Sequence, residues 1–131
     1  MYFPVYGFFI MNTNKIFPFS QLLYYFLTAV WPLVHIESFL MVTGDKTDIW
    51  LVKTVSILLL PYCILLLYLT FNVKKDFIVV ITVMFCCLGL LFVDLYYYFN
   101  DVIRWVYLID GFFQFLFFIY WTFYMIREKN K

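Results

Sequence analysis

The sequence predicts an all-α integral membrane protein, folded as an antiparallel four-helix transmembrane bundle. Of its 131 residues, 66% are hydrophobic and only 13% are charged, which is more apolar surface than a soluble domain of this size can bury. Four apolar stretches are each about 20 residues long, the length that crosses a bilayer. Short polar turns separate them, so consecutive helices should be antiparallel neighbours.

The four predicted spans cover residues 20–42, 49–71, 77–99 and 102–126. In the first span, Pro32 removes a backbone donor and should kink the helix. Thr47 or Asp48 can cap the second span, and Pro61 should bend it midway. Polar turns at 72–76 and 100–101 then join the remaining spans.

The apolar stretch at residues 1–10 is too short to cross a membrane. It also lacks the basic region and the small-residue cleavage site of a signal peptide. Met11, which polar residues follow, would make a more ordinary start of the chain. We therefore expect residues 1–15 to be a leader, with the true start left open, and residues 16–131 to form one membrane domain.

The basic residues predict the orientation. Four crossings put both ends of the chain and the 72–76 turn on one side, with six basic residues: Lys15, Lys74, Lys75, Arg127, Lys129 and Lys131. The other side has three, which are Lys46, Lys53 and Arg104. Under the positive-inside rule, both termini should be cytoplasmic.

Three ionisable residues lie inside the predicted spans at similar depth from the outer side, namely Lys53, Asp94 and Asp110. Since each charge costs about 2.5 to 3.5 kcal/mol in the bilayer centre, we expect them to face one another in a polar layer, to which Arg104 adds a cation. Two hypotheses carry equal weight. The layer fixes helix register, or it lines an outward-facing pocket in which one of the two carboxyl groups can hold a proton.

His35 and Glu37 lie beyond Pro32 and are the remaining candidates for this pocket. Their spacing of two residues would point them in different directions on a regular helix. The predicted ligand-binding set is therefore His35, Glu37, Lys53, Asp94, Arg104 and Asp110. A metal site built from His35, Glu37 and Asp94 has suitable residue types but no supporting ligand spacing, so no metal is predicted.

Several classes of protein are excluded or disfavoured. Cys63, Cys86 and Cys87 fall in apolar stretches without a C-x-x-C pair, which argues against thiol oxidoreductases. A single histidine excludes haem held between two imidazoles of one chain, and no cofactor is predicted. A net charge of +1 provides no basic surface for nucleic acid. The lipid bilayer is the expected partner, and a homo-oligomer or a larger membrane complex is left open.

The segments WPLVHIESF at 31–39 and VTGDKTDIWLVKTV at 42–55 resemble a group of small bacterial four-span membrane proteins with no assigned activity. The tripeptide DLY at 94–96 and the tetrapeptide YLID at 107–110 are similar to that group's third and fourth helices. This chain has Asp45 where the group would have proline and Ser56 where it would have glycine. The resemblance implies a bacterial origin, a four-helix architecture and a pattern centred on the polar layer. With a bacterial origin, the expected location is the cytoplasmic, or inner, membrane.

Three functions remain open at the level of sequence. The first is an outward-facing pocket that binds a lipid or a small apolar ligand, or that passes a proton. The second is a membrane-embedded acid–base enzyme that uses one protonated and one ionised carboxyl group on a lipid-like substrate. The third is an accessory subunit of a membrane complex. No nucleophile, phosphate-loop or metal motif favours a specific reaction.

Overall fold

The structure is a computed structural model that describes the backbone of residues 4–131 and the side chains of residues 15–131. This part of the chain is all-α, and four of its five helices are long and apolar enough to span a membrane. The helices are α1 (Pro4–Val34), α2 (Ile36–Thr43), α3 (Ile49–Phe71), α4 (Phe77–Phe99) and α5 (Val106–Lys129). The protein is therefore a multi-pass membrane protein, and the predicted four-helix bundle is confirmed.

The second and third predicted spans coincide with α3 and α4, and α5 begins four residues later than predicted. The first prediction needs a larger correction, because α1 ends at Val34 and residues 36–43 form the separate helix α2. At His35 the backbone leaves helical geometry, with φ −145° and ψ 82°. The His35 side chain accepts a hydrogen bond from the Ser38 backbone N–H, so it caps the new helix.

The structure bears on only part of the prediction for the N-terminal residues. Helix α1 begins at Pro4 and continues through residues 12–15 without a break, so its membrane-spanning part, Lys15–Val34, starts earlier than residue 20. Residues 1–3 lie outside the described residues. The assignment of residues 1–15 as a leader stays a prediction.

The bundle consists of two tightly packed pairs of helices, α1 with α3 and α4 with α5. Side chains fill the space between the pairs: Tyr25 of α1, Leu66 of α3, Cys87 of α4 and Trp121 of α5 are each at most 1% exposed. Aromatic rings join α1 to α5, where Phe17 stacks on Tyr120 with ring centroids 4.2 Å apart. The pairs thus meet through side chains rather than by close backbone approach.

Most of the surface of the four long helices faces outward. Only 22% to 33% of the residues in the apolar windows of these helices are buried inside the protein. A soluble protein could not leave so many large apolar side chains in water, so a lipid bilayer must solvate them. We call the membrane side that carries residues 44–48 and 100–105 the loop side, and the side that carries residues 72–76 the terminal side.

Candidate functional site

A cavity of about 940 Å³ opens between the helices at the loop side. Its apolar walls come from both pairs of helices, with Leu51, Val55 and Leu59 on α3 and Leu90 and Val93 on α4. Helix α2 and the two loops form its mouth. The volume lies within the range of about 300 to 1,000 Å³ that small-molecule sites occupy.

Two neighbouring carboxyl groups, those of Asp94 and Asp110, lie in the wall of this cavity below the mouth. Asp94 is five residues from the end of α4 and Asp110 is four residues from the start of α5. At 1.5 Å per residue both lie about 6 to 8 Å inside the helix ends. Asp94 is only 5% exposed, and its Oδ2 atom is buried with no hydrogen-bond partner.

Gly111 allows the two carboxyl groups to approach each other. A methyl group at this position would lie 3.7 Å from Asp94 Cβ and 3.4 Å from Leu91 Cδ1, which is ordinary van der Waals contact. A larger side chain would separate α5 from α4 at the level of the pair. These distances show that α5 passes close to α4 at Gly111.

Asp110 differs from Asp94 in its hydrogen bonds. The Tyr24 hydroxyl donates to Asp110 Oδ1, and the Gln114 amide donates to the same oxygen over 3.3 Å. Two donors on one oxygen stabilise the ionised form of a carboxyl group. Among the described residues the one ion pair within 4 Å joins Lys131 to Glu128, so neither Asp94 nor Asp110 has a cation that close.

Hydrogen bonds continue from Asp110 into the centre of the bundle. Tyr25 donates its hydroxyl proton to Gln114 Oε1 over 2.7 Å. Since that proton is committed, the Cys87 thiol is the donor in its 3.4 Å contact with the Tyr25 oxygen. This series of hydrogen bonds ends at Gln21. Its amide donates to Cys87 Sγ over 3.2 Å, and its Oε1 accepts from Trp121 Nε1 over 2.8 Å.

Lys46 lies at the mouth of the cavity and does not pair with a carboxylate within 4 Å. Its ammonium group donates to Thr43 Oγ1 over 3.1 Å and lies 5.1 Å from the centre of the Tyr107 ring. Partial burial, and secondarily the positive charge of Arg104, lower the pKa of Lys46. Arg104 packs on Gly44, because a Cβ atom built on this glycine would lie 2.8 Å from Arg104 Nε.

Three of the six predicted site residues line the cavity: Asp94, Arg104 and Asp110. The expected place of Lys53 in the layer is wrong, since its side chain is exposed on the outside of α3 and does not line the cavity. Lys53 lies at the predicted depth in α3. It follows the cavity-lining Val52 by one residue, however, and this step rotates its side chain by about 100° around the helix, away from the cavity.

His35 and Glu37 do not line the cavity either, and both side chains are exposed. The reason is the break after Val34, which starts a new helix and commits His35 to its cap. His35 Nδ1 also lies 2.9 Å from the hydroxyl oxygen of Ser38. Within the part of the chain that the structure describes, no group of three or more histidine, cysteine or acidic residues could hold a metal ion.

Several residues of the site were missed at the sequence level, although a signal for them exists. Glutamine is rare in apolar spans and commonly hydrogen-bonds across helices. Gln114 follows Asp110 by four residues, and Gln21 precedes Tyr25 by four, so each pair shares one helix face. This spacing would have indicated a polar stripe on α1 and another on α5.

Comparison with known proteins adds no functional information: the chain has no significant match to a family model, a curated protein or a solved structure.

Proposed function

We propose that this protein binds a small amphiphilic cation, such as a lipid amine, in the loop-side cavity. The observation that carries the proposal is Asp94, which lines the cavity and whose buried Oδ2 has no hydrogen-bond donor. A buried oxygen without a partner costs about 1 to 3 kcal/mol, and more if it is charged. A cation held beside Asp94 recovers this energy through its charge, whether it also donates a hydrogen bond, as an ammonium group does, or has no donor.

The charges around the cavity favour a cation over an anion. Five carboxyl groups line it, those of Asp45, Asp48, Asp94, Asp101 and Asp110. The cations in its lining are Lys46 and Arg104, both at the mouth. A positively charged group therefore gains energy as it moves inward past these two residues. The leucine and valine walls accept an apolar body, so the expected ligand combines a cationic group with a hydrocarbon part.

The test measures binding of tetraphenylphosphonium, a permanent cation with an apolar body, to the full chain in mild detergent by isothermal titration calorimetry. Asp94→Asn keeps the side-chain shape and removes the charge. An ion pair about 6 Å long in surroundings with an effective dielectric constant of about 20 contributes about 2 to 3 kcal/mol, so this variant should bind about 10- to 100-fold more weakly than the wild type. Glu37→Gln is the matched control, because it makes the same chemical change outside the cavity, and its affinity should be unchanged.

Two results would contradict the proposal: no saturable binding by the wild type, or equal affinities of the wild type and Asp94→Asn. Native mass spectrometry of the purified protein identifies any lipid that it retains. A retained lipid that is chemically altered over time would instead favour the acid–base enzyme, for which two adjacent carboxyl groups are also suited.

We further propose that the protein lies in a bacterial inner membrane, with both termini in the cytoplasm and the cavity open to the periplasm. The excess of basic residues on the terminal side and the resemblance of residues 31–55 to the bacterial four-span group support this orientation. A cysteine placed at Thr47 should react with a membrane-impermeant maleimide in cells whose outer membrane is permeabilised. A cysteine placed at Glu128 should not, and the reverse labelling pattern would invert the orientation.

A further inference from the structure

The carboxyl pair has an unbalanced charge. Asp94 and Asp110 are neighbours in a partly enclosed cavity, and no described cation lies within 4 Å of either. Two ionised carboxylates at such close range repel strongly where water is scarce. The arrangement with the lowest electrostatic energy is one in which the pair holds a single proton and so carries one negative charge.

The groups around the pair decide which residue carries that proton. Helix α1 contributes the Tyr24 hydroxyl and helix α5 the Gln114 amide, and both donate to Asp110. Asp94 Oδ2 receives no donor, so it is the atom that gains most from holding a proton. These hydrogen bonds therefore favour Asp94 over Asp110 as the residue that holds the proton.

The other ionisable groups near the pair do not change this assignment. Tyr107 lies one turn before Asp110 on α5, and its hydroxyl is a neutral donor at physiological pH. The one polar side chain that α3 contributes to the cavity lining is the Ser56 hydroxyl, because Lys53 faces outward. The two cations, Lys46 and Arg104, remain at the mouth with their own contacts.

We propose that the cavity exchanges a proton for its cationic ligand, an inference that rests on the proposed function. In the empty protein the Asp94 carboxyl group holds a proton, and Asp110 carries the single negative charge of the pair. When a cation enters, the O–H bond of Asp94 breaks, the proton leaves to water through the mouth, and the carboxylate pairs with the ligand. One positive charge enters for each proton released, so the net charge of the site is unchanged.

The experiment titrates the wild type with tetraphenylphosphonium in phosphate and in Tris, two buffers of different ionisation enthalpy, at about pH 7.2 to 8.0, where both buffer. Titrations in phosphate then follow the dissociation constant from about pH 6 to 8. This ligand has no ionisable proton, so any proton released comes from the protein. The expected result is release of about one proton per cation bound near neutral pH. Because binding releases a proton, the dissociation constant should fall about tenfold for each unit by which the pH rises, over the range in which the pair of the empty protein retains its proton.

Controls separate the exchange from a general effect of ligand binding. Triphenylphosphine oxide is a neutral molecule of similar shape, and its binding should release no proton. Glu37→Gln should release the same proton as the wild type on binding tetraphenylphosphonium. Far-UV circular dichroism and gel-filtration profiles check that Asp94→Asn is folded. If it is, it should lose both the tight binding and the proton release.

Binding of the cation with no proton released at any pH would overturn the exchange and leave the proposed function intact. Equal proton release by the cation and the neutral molecule would also overturn it. Absence of cation binding by the wild type would overturn the proposed function itself. The wild-type titration decides these outcomes even if Asp94→Asn does not fold.

Discussion

Gln21 allows the energetic value of the buried hydrogen-bond chain to be measured. Its amide is fully buried, accepts from Trp121 Nε1 over 2.8 Å and donates to Cys87 Sγ over 3.2 Å. Gln21→Leu removes both contacts and leaves the indole N–H without an acceptor in an apolar environment. The orphaned donor alone costs about 1 to 3 kcal/mol, and interhelical hydrogen bonds in membranes average about 0.6 kcal/mol. We expect a loss of about 1.5 to 3 kcal/mol.

A double-mutant cycle separates the hydrogen bond from the packing. Trp121→Phe removes the indole donor, and the double variant with Gln21→Leu leaves neither group unpaired. Reversible unfolding in mixed detergent micelles, followed by far-UV circular dichroism, gives the four free energies of unfolding. The coupling energy between the two sites should be about 1 kcal/mol. Ser20→Ala is the neighbouring control, because this exposed hydroxyl bonds only the Ile16 carbonyl oxygen, and it should change stability by less than about 0.5 kcal/mol.

A coupling energy within about 0.3 kcal/mol of zero would refute the reasoning, because the two substitutions would then act independently. A loss for Ser20→Ala as large as that for Gln21→Leu would also refute it. The measured effect would then reflect helix propensity in α1 rather than a contact between helices.

Two further predictions concern the mouth of the cavity. Gly44 has φ +96°, a region that only glycine adopts readily, so Gly44→Ala should lower the free energy of unfolding by about 1 to 3 kcal/mol. Gly89→Ala is the control in the same assay, because nothing lies within 4 Å of the added methyl group, and it should be neutral or stabilising by up to about 1 kcal/mol. Equal losses of stability at Gly44 and Gly89 would contradict the argument. Because burial and then Arg104 lower the pKa of Lys46, Arg104→Gln should raise this pKa while leaving it below the ordinary value for lysine. The ¹³C-methyl NMR signal of the dimethylated lysine follows the titration, and an unchanged pKa would show that the guanidinium does not act on Lys46.

The carboxyl pair illustrates how far the sequence reaches. The depths of Asp94 and Asp110 follow from counting residues to the nearest polar turn, and both residues line the cavity at the predicted level. Gln21 shares a helix face with Tyr25, and Gln114 shares one with Asp110, because each pair is four residues apart. This spacing by itself predicts a polar stripe on α1 and another on α5. Depth and spacing along a helix are properties of the chain alone.

Lys53 and His35 illustrate what the sequence does not fix. Lys53 has the right depth but points away from the cavity, because α3 is apolar on all sides and no contrast between its faces predicts which one packs inward. His35 depends on the exact residue at which α1 ends, and local side-chain contacts with Ser38 decide that. Helix ends are set by such contacts and not by hydropathy.

The amino-acid sequence by itself determined the class of protein, the presence of four spans and the level at which the acidic residues lie, because lipid imposes length and polarity on each helix separately. Only the tertiary structure decided that two carboxyl groups meet, that Lys53 faces outward and that a cavity opens beside Asp94. In a bilayer both the buried and the lipid-facing sides of a helix are apolar. The rotation of each helix is therefore fixed by its contacts with the other helices.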